Sequence, residues 1–146
     1  MKFWDSSALV PLLLREATSA RAQAALAADT AVAVWWGTPV ECLAAVARAE
    51  RDSRLDAPGV AEALAALRLL RSGWNEIDAT TRLRDMAERL VRTHPLRAAD
   101  ALQLAAATVA AEGEARTLPF VTLDERLAVA ADREGFPVVR FDRPSA

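Results

Sequence analysis

Hydrophobic and polar positions along this chain switch repeatedly between short apolar runs and helical stripes, and each switch marks an element. Phe3-Trp4 is an apolar pair running into Asp5-Ser6-Ser7, which predicts a strand over 2–4 ending in a cluster suited to cap a helix. A short helix follows over 8–15, where Pro11 is tolerable only in the first turn. A second helix spans 18–28, capped by Thr18 or Ser19. The run AVAVWW over 31–36 is apolar enough for the inside of a sheet, and Gly37 breaks it.

Thr38-Pro39-Val40-Glu41 opens a third helix running to about Arg51, and a Leu and Ala stripe over 57–72 makes a fourth. Residues 75–78 read as a short strand or a connection. Over 80–92 the pattern is strongly amphipathic, with Leu83, Met86, Ala87 and Leu90 on one face. The stretch 95–113 is a helix apolar nearly all round, with Pro95 suited to its first turn and Gly113 to its end. A strand over 118–123, a helix over 124–134 closed by Gly135, and a strand over 137–141 complete the pattern. The tail, 142–146, is expected to fray.

Strands alternating with helices imply an α/β fold whose mostly parallel central sheet is covered on both faces. There is no internal repeat, low-complexity tract or linker, and 146 residues suit a single domain over 1–146.

One residue sits badly in this pattern. Asp100 lies in the apolar helix, on the same side as Leu96, Gln103, Leu104 and Ala107. A buried carboxylate must be paired, hydrogen-bonded, neutralised or bound to a cation. Arg97 is the plain candidate for a partner.

Composition narrows the chemistry. Hydrophobic residues make up 53%, which excludes a disordered chain. The single Cys42 rules out a disulfide framework, no signal peptide or bilayer-spanning run is read, and a reducing cytoplasm is the expected setting. A formal charge of −2 argues against holding nucleic acid by bulk positive potential, but it is compatible with an acidic centre inside an arginine rim. Of the 18 basic residues only Lys2 is lysine.

Ligand sites in α/β sheets lie beyond the carboxyl ends of the strands. Asp5 and Asp124 each follow a strand there. Each has a plainer explanation as a helix cap, strongest for Asp124, since Thr122-Leu123-Asp124-Glu125 spells a capping box with Thr122 as the cap. Glu41 is likewise explained by a box capped by Thr38. Taken together with Asp100 they suggest convergence on one sheet edge. Clustered carboxylates repel and call for a cation. All-oxygen ligation suits Mg²⁺ or Mn²⁺, and such a site supports attack of water on a phosphodiester.

FWDSSALV, Thr38-Pro39-Val40-Glu41, LRAADALQLAAA and FVTLDERLAVAA, in that order along the whole chain, resemble the motifs of PIN-domain ribonucleases, and within them the VapC-type toxins of toxin–antitoxin pairs. The resemblance implies an α/β/α sandwich, a Mg²⁺- or Mn²⁺-dependent endoribonuclease, a homodimer and silencing by a cognate antitoxin. It places the metal-binding and catalytic acids at Asp5, Glu41, Asp100 and Asp124. Gln103 departs from the family, where histidine is frequent.

Other residues carry less. His94 is the only histidine, so neither a Ser-His-Asp triad nor a multi-His zinc site can form within one chain; it is expected to cap or flank a helix. Cys42 reads as a small core residue. Trp4, Trp35, Trp36 and Trp74 read as core or dimer surface, with base stacking open to one of them. Arg15, Arg97 and Arg126 lie near the acids in sequence, as solvated surface or as contacts to RNA phosphates. Receiver-type and haloacid-dehalogenase-type phosphoryl sites want a late lysine that this chain lacks. A scaffold whose acidic pocket only binds a basic partner segment uses the same carboxylates as a nuclease.

Overall fold

The computed structural model describes residues 1–141; the expected fraying of 142–146 falls outside them. Five strands, β1 (Lys2–Trp4), β2 (Val32–Trp35), β3 (Asn75–Ile77), β4 (Phe120–Val121) and β5 (Val138–Val139), form one sheet in the order β3-β2-β1-β4-β5. Every pairing is parallel, with Phe3 opposite Phe120 and Trp4 opposite Val121. The segment left open between strand and connection is thus a strand, β3, on the sheet edge.

Seven α-helices cover the sheet: α1 (Ser6–Leu13), α2 (Ser19–Ala28), α3 (Thr38–Arg51), α4 (Ala57–Gly73), α5 (Thr81–Thr93), α6 (Ala98–Ala110) and α7 (Glu125–Arg133). Strand alternation divides the core between two layers. Phe3, Ala33, Trp35 and Phe120 pack with Leu83 and Leu90 of α5, Leu104 of α6 and Leu127 of α7. Trp4, Val32, Val34 and Val121 pack on the other face with Leu9, Ala22, Cys42 and Leu67, from α1 to α4. The result is a three-layer α/β/α sandwich. Among the described residues no helix is long and apolar enough to cross a membrane.

Several helix ends differ from the sequence pattern. α1 starts two residues early because Asp5 itself is its cap, accepting from the Ser7 amide at 3.2 Å. Pro11 therefore lies inside the helix rather than in its first turn. Pro95 precedes α6, which begins after Arg97. The end of α7 is as expected. Gly135, at φ 95°, donates to the Asp132 carbonyl while the Phe136 amide reaches Ala131, the paired bonds of a Schellman turn.

The sheet reverses direction of growth at β1. Connections run outward to β2 and β3, then return to β4 on the other side of β1. A crevice forms at the carboxyl edge of such a switch point. Asp5 follows β1 there, with its amide donating to the Val121 carbonyl at 3.0 Å, and Thr122 and Asp124 follow β4.

Candidate active site

Asp5 is 4% exposed at the end of β1. Its Oδ2 accepts from the Ser7 hydroxyl at 2.5 Å, the Thr122 hydroxyl at 3.0 Å and the Ser7 amide. The two hydroxyls lie 3.2 Å apart, but each spends its one proton on Asp5, so their mutual contact is not a bond formed at the same time. They accept in turn, Ser7 from the Leu123 amide at 2.9 Å and Thr122 from the Asp124 amide at 3.0 Å. This network ties the end of β1 to the turn after β4.

Thr122 is therefore not the cap that the sequence suggested. Asp124 caps α7 itself, its Oδ1 accepting from Leu127 at 2.9 Å. The box at Thr38 is absent too: Gly37 precedes α3 without a side-chain cap bond. Thr38 is buried and receives the Gln103 amide at 3.3 Å. Glu41 is released from helix capping and turned to the site. Its Oε2 accepts from the Ser6 hydroxyl at 2.5 Å and from Gln103 Nε2 at 3.0 Å.

Each of these three carboxylates thus has one oxygen engaged and the other without a hydrogen bond among the described residues. Asp100, half-buried in the first turn of α6, makes no ion pair within 4 Å with Arg97 or any other base in that set, and neither do Asp5, Glu41 and Asp124. The plain expectation of an Asp100–Arg97 salt bridge is not met.

The electrostatics reflect this shortage of positive charge. Burial pushes the Asp5 carboxyl up to about 6, against the lowering by its Ser7 and Thr122 bonds, and the Glu41 charge adds to the rise. Asp100 is also raised, first by burial and then by the Asp124 charge, which outweigh the Arg97 backbone and the Arg97 and Arg126 charges. Glu41 thus acts on Asp5, and Asp124 on Asp100. Among the described residues no three His, Cys, Asp or Glu side chains are close enough to share an ion. The donor chemistry nonetheless suits a hard divalent cation: carboxylate oxygens only, several of them unengaged, with no competing ammonium or guanidinium in contact.

Two supporting residues are apparent only in three dimensions. Gln103 stands one turn beyond Asp100, fully buried, and links α6 to Glu41 of α3. Its presence on an apolar face was the available signal. Ser6 sits in the polar cluster after β1, where nothing local distinguishes holding Glu41 from capping a helix. Cys42 takes no part. Burial, with the charges of Glu41 and Asp5, pushes its thiol up to about 12, which excludes thiolate chemistry near neutral pH. His94 flanks α5 rather than the site, with Nε2 2.7 Å from Glu134. Trp4, Trp35 and Trp74 are core residues, whereas Trp36 is 57% exposed.

A parallel sheet with its switch point lined by acids and hydroxyls defines a class, and the sequence agrees: the PIN domain profile matches residues 2–142, so the chain belongs to the PIN domain family, whose members are typically metal-dependent nucleases. Among solved structures it is similar to PAE2754 from Pyrobaculum aerophilum. The two share 21% identity at a TM-score of 0.67, over 96% of this chain and 90% of that one. That likeness supports the fold. No curated sequence relative matches the chain significantly.

Proposed function

We propose that this protein is a Mg²⁺- or Mn²⁺-dependent endoribonuclease of one domain, acting as the toxin of a toxin–antitoxin pair. The observation that carries the nuclease reading is the set of unengaged carboxylate oxygens at the switch point, uncompensated by any base within 4 Å among the described residues. Asp5 and Asp100 are assigned as direct ligands. Glu41 and Asp124 orient water or hold a second ion. When bound, the cation would activate water for attack on the phosphodiester and offset charge on the leaving oxygen.

The chain's own residues supply position. Ser7 and Thr122 fix one oxygen of Asp5 and so aim the other; Ser6 and Gln103 do the same for Glu41. The capping bond holds Asp124 at the start of α7. The toxin assignment, a homodimer and an antitoxin that fills the acidic groove rest on the motif resemblance.

Cleavage of single-stranded RNA by the purified protein tests the core of this reading. Activity is expected with either ion and is expected to vanish in EDTA and in Asp5→Asn or Asp100→Asn. Equal cleavage in excess EDTA overturns the metal dependence. Absence of cleavage with both ions, together with tight binding of a basic peptide, supports the scaffold instead. Growth arrest on expression that Asp100→Asn relieves is the corresponding test of the toxin role.

A further inference from the structure

Two grooves border α7, and their charges differ. One, of about 570 Å³, reaches toward β5 and is lined by Glu16, Asp124 and Glu125 against the single base Arg140. The other, of about 240 Å³, lies between His94-Pro95 and α7 and is lined by Arg126, Val129 and Arg133. Glu125 borders both, but Arg140 holds its two oxygens at 2.8 and 2.9 Å, so its charge is already matched. Arg126 and Arg133 are exposed and make no ion pair among the described residues. They stand seven positions apart, on one face of the helix, with Val129 between them. Asp132 is not among the residues lining this groove. His94 is engaged by Glu134, leaving the guanidiniums as the free charges of this groove.

We propose that the groove between Pro95 and α7 carries the RNA strand on one side of the scissile phosphate, with backbone phosphates at Arg126 and Arg133 and a ribose or base over Pro95 and Val129. The proposal rests on the nuclease reading above. Beyond the site acid Asp124, the larger groove meets a polyanion with Glu16, unpaired among the described residues, and with an Arg140 already engaged by Glu125, whereas free guanidiniums suit phosphate oxygens. Pro95 and Val129 are exposed apolar surface of the kind that sugars and bases cover. Arg126 also links track and centre, since it stands two positions after Asp124 at the start of α7.

The test uses the non-cleaving Asp5→Asn protein and an end-labelled single-stranded RNA oligonucleotide of mixed sequence, with Kd followed by anisotropy across a salt series. Adding Arg126→Gln and Arg133→Gln is expected to weaken binding roughly 10-fold and to flatten the salt dependence by about 0.7 per lost phosphate contact. Arg68→Gln, on α4, serves as the control and is expected to leave both unchanged. Unaltered melting of each variant shows that folding is not the cause. If wild-type protein cuts this RNA while the double change alters neither Kd nor salt slope, the track is wrong and the nuclease reading stands. If wild-type protein neither binds nor cuts RNA with Mg²⁺ or Mn²⁺, both fall together.

Discussion

Gln103 donates its side-chain amide to Glu41 at 3.0 Å from a fully buried position on α6, which makes one helix the support of two acids. Asp100 stands on the same helix one turn earlier. Gln103 Oε1 is buried without a partner, so the amide's desolvation is only partly compensated. Gln103→Leu is therefore expected to change stability by no more than about 1 kcal/mol, because an unsatisfied acceptor leaves with the lost donor. Cleavage should nevertheless fall roughly 10-fold, because Glu41 keeps only Ser6. Gln103→Glu should unfold the protein several degrees lower by burying a second carboxylate against Glu41. Melting and single-turnover cleavage of the two variants separate positioning from packing; unchanged cleavage by Gln103→Leu would remove Gln103 from the site.

Much of this arrangement is legible in the sequence because strand ends and helix starts are local signals. Asp5 and Asp124 follow apolar runs, and Asp100 is conspicuous in its Ala-rich helix. The strand and helix order is legible for the same reason, as is the αL turn at Gly135. Capping is not legible where tertiary bonds compete for the same hydroxyls. Thr122 is drawn to Asp5 and Thr38 to Gln103, so the boxes that the spacing spells do not form. The approach of Glu41 to Asp5 is also a property of the sheet order, which places β2 beside β1 and cannot be read from spacing. The two arginines of the α7 groove look like ordinary surface until the ion pair of Glu125 is known.

Asp5→Asn should stabilise the protein in metal-free buffer. Burial holds the folded carboxyl at about 6 against an ordinary value of 3.8, so protonation favours the folded state. The stabilising effect of that proton is complete below the unfolded pKa and is lost as pH rises through about 6. At pH 7.5 the ionised group costs about 3 kcal/mol at most. Asparagine removes the charge, keeps an oxygen for Ser7 and Thr122, and remains a good helix cap. In EDTA at pH 7.5 the variant should melt on the order of 5 °C higher. Wild type should gain more stability between pH 7.5 and 5.5 than the variant, in which only the raised Asp100 remains to take up a proton. A lower melting temperature for the variant at pH 7.5 would show that Asp5 is not under electrostatic stress.

Gly37 is demanded by packing rather than by backbone conformation, since its φ is an ordinary −80°. A Cβ there would lie 2.6 Å from Trp35 Nε1 and 3.2 Å from Cδ1 of the same ring. Trp35 is 8% exposed and packs in the α5–α6 layer, so its indole has little room to retreat. Gly37→Ala is expected to cost about 1–3 kcal/mol. Displacing the start of α3 would also move Glu41, so cleavage should fall more than the stability loss alone predicts. Thermal melts with cleavage at a temperature where the variant is fully folded distinguish the two effects; a wild-type melting curve would mean that Trp35 yields freely.

Divalent cation should stabilise the wild type and lose that effect when the acids are removed. A ligand that binds only the folded state adds RT ln(1 + [L]/Kd), about 2.7 kcal/mol at a hundredfold excess over Kd. The gain should be larger at pH 7.5 than at pH 5.5, because the Asp5 proton, held to about 6, competes with the cation. Asp5→Asn should abolish most of the shift, and Asp100→Asn should weaken it. Mg²⁺, Mn²⁺ and Ca²⁺ titrations followed by melting temperature measure this without any reliance on catalysis. A shift of equal size in wild type and both variants would locate the cation elsewhere on the acidic surface.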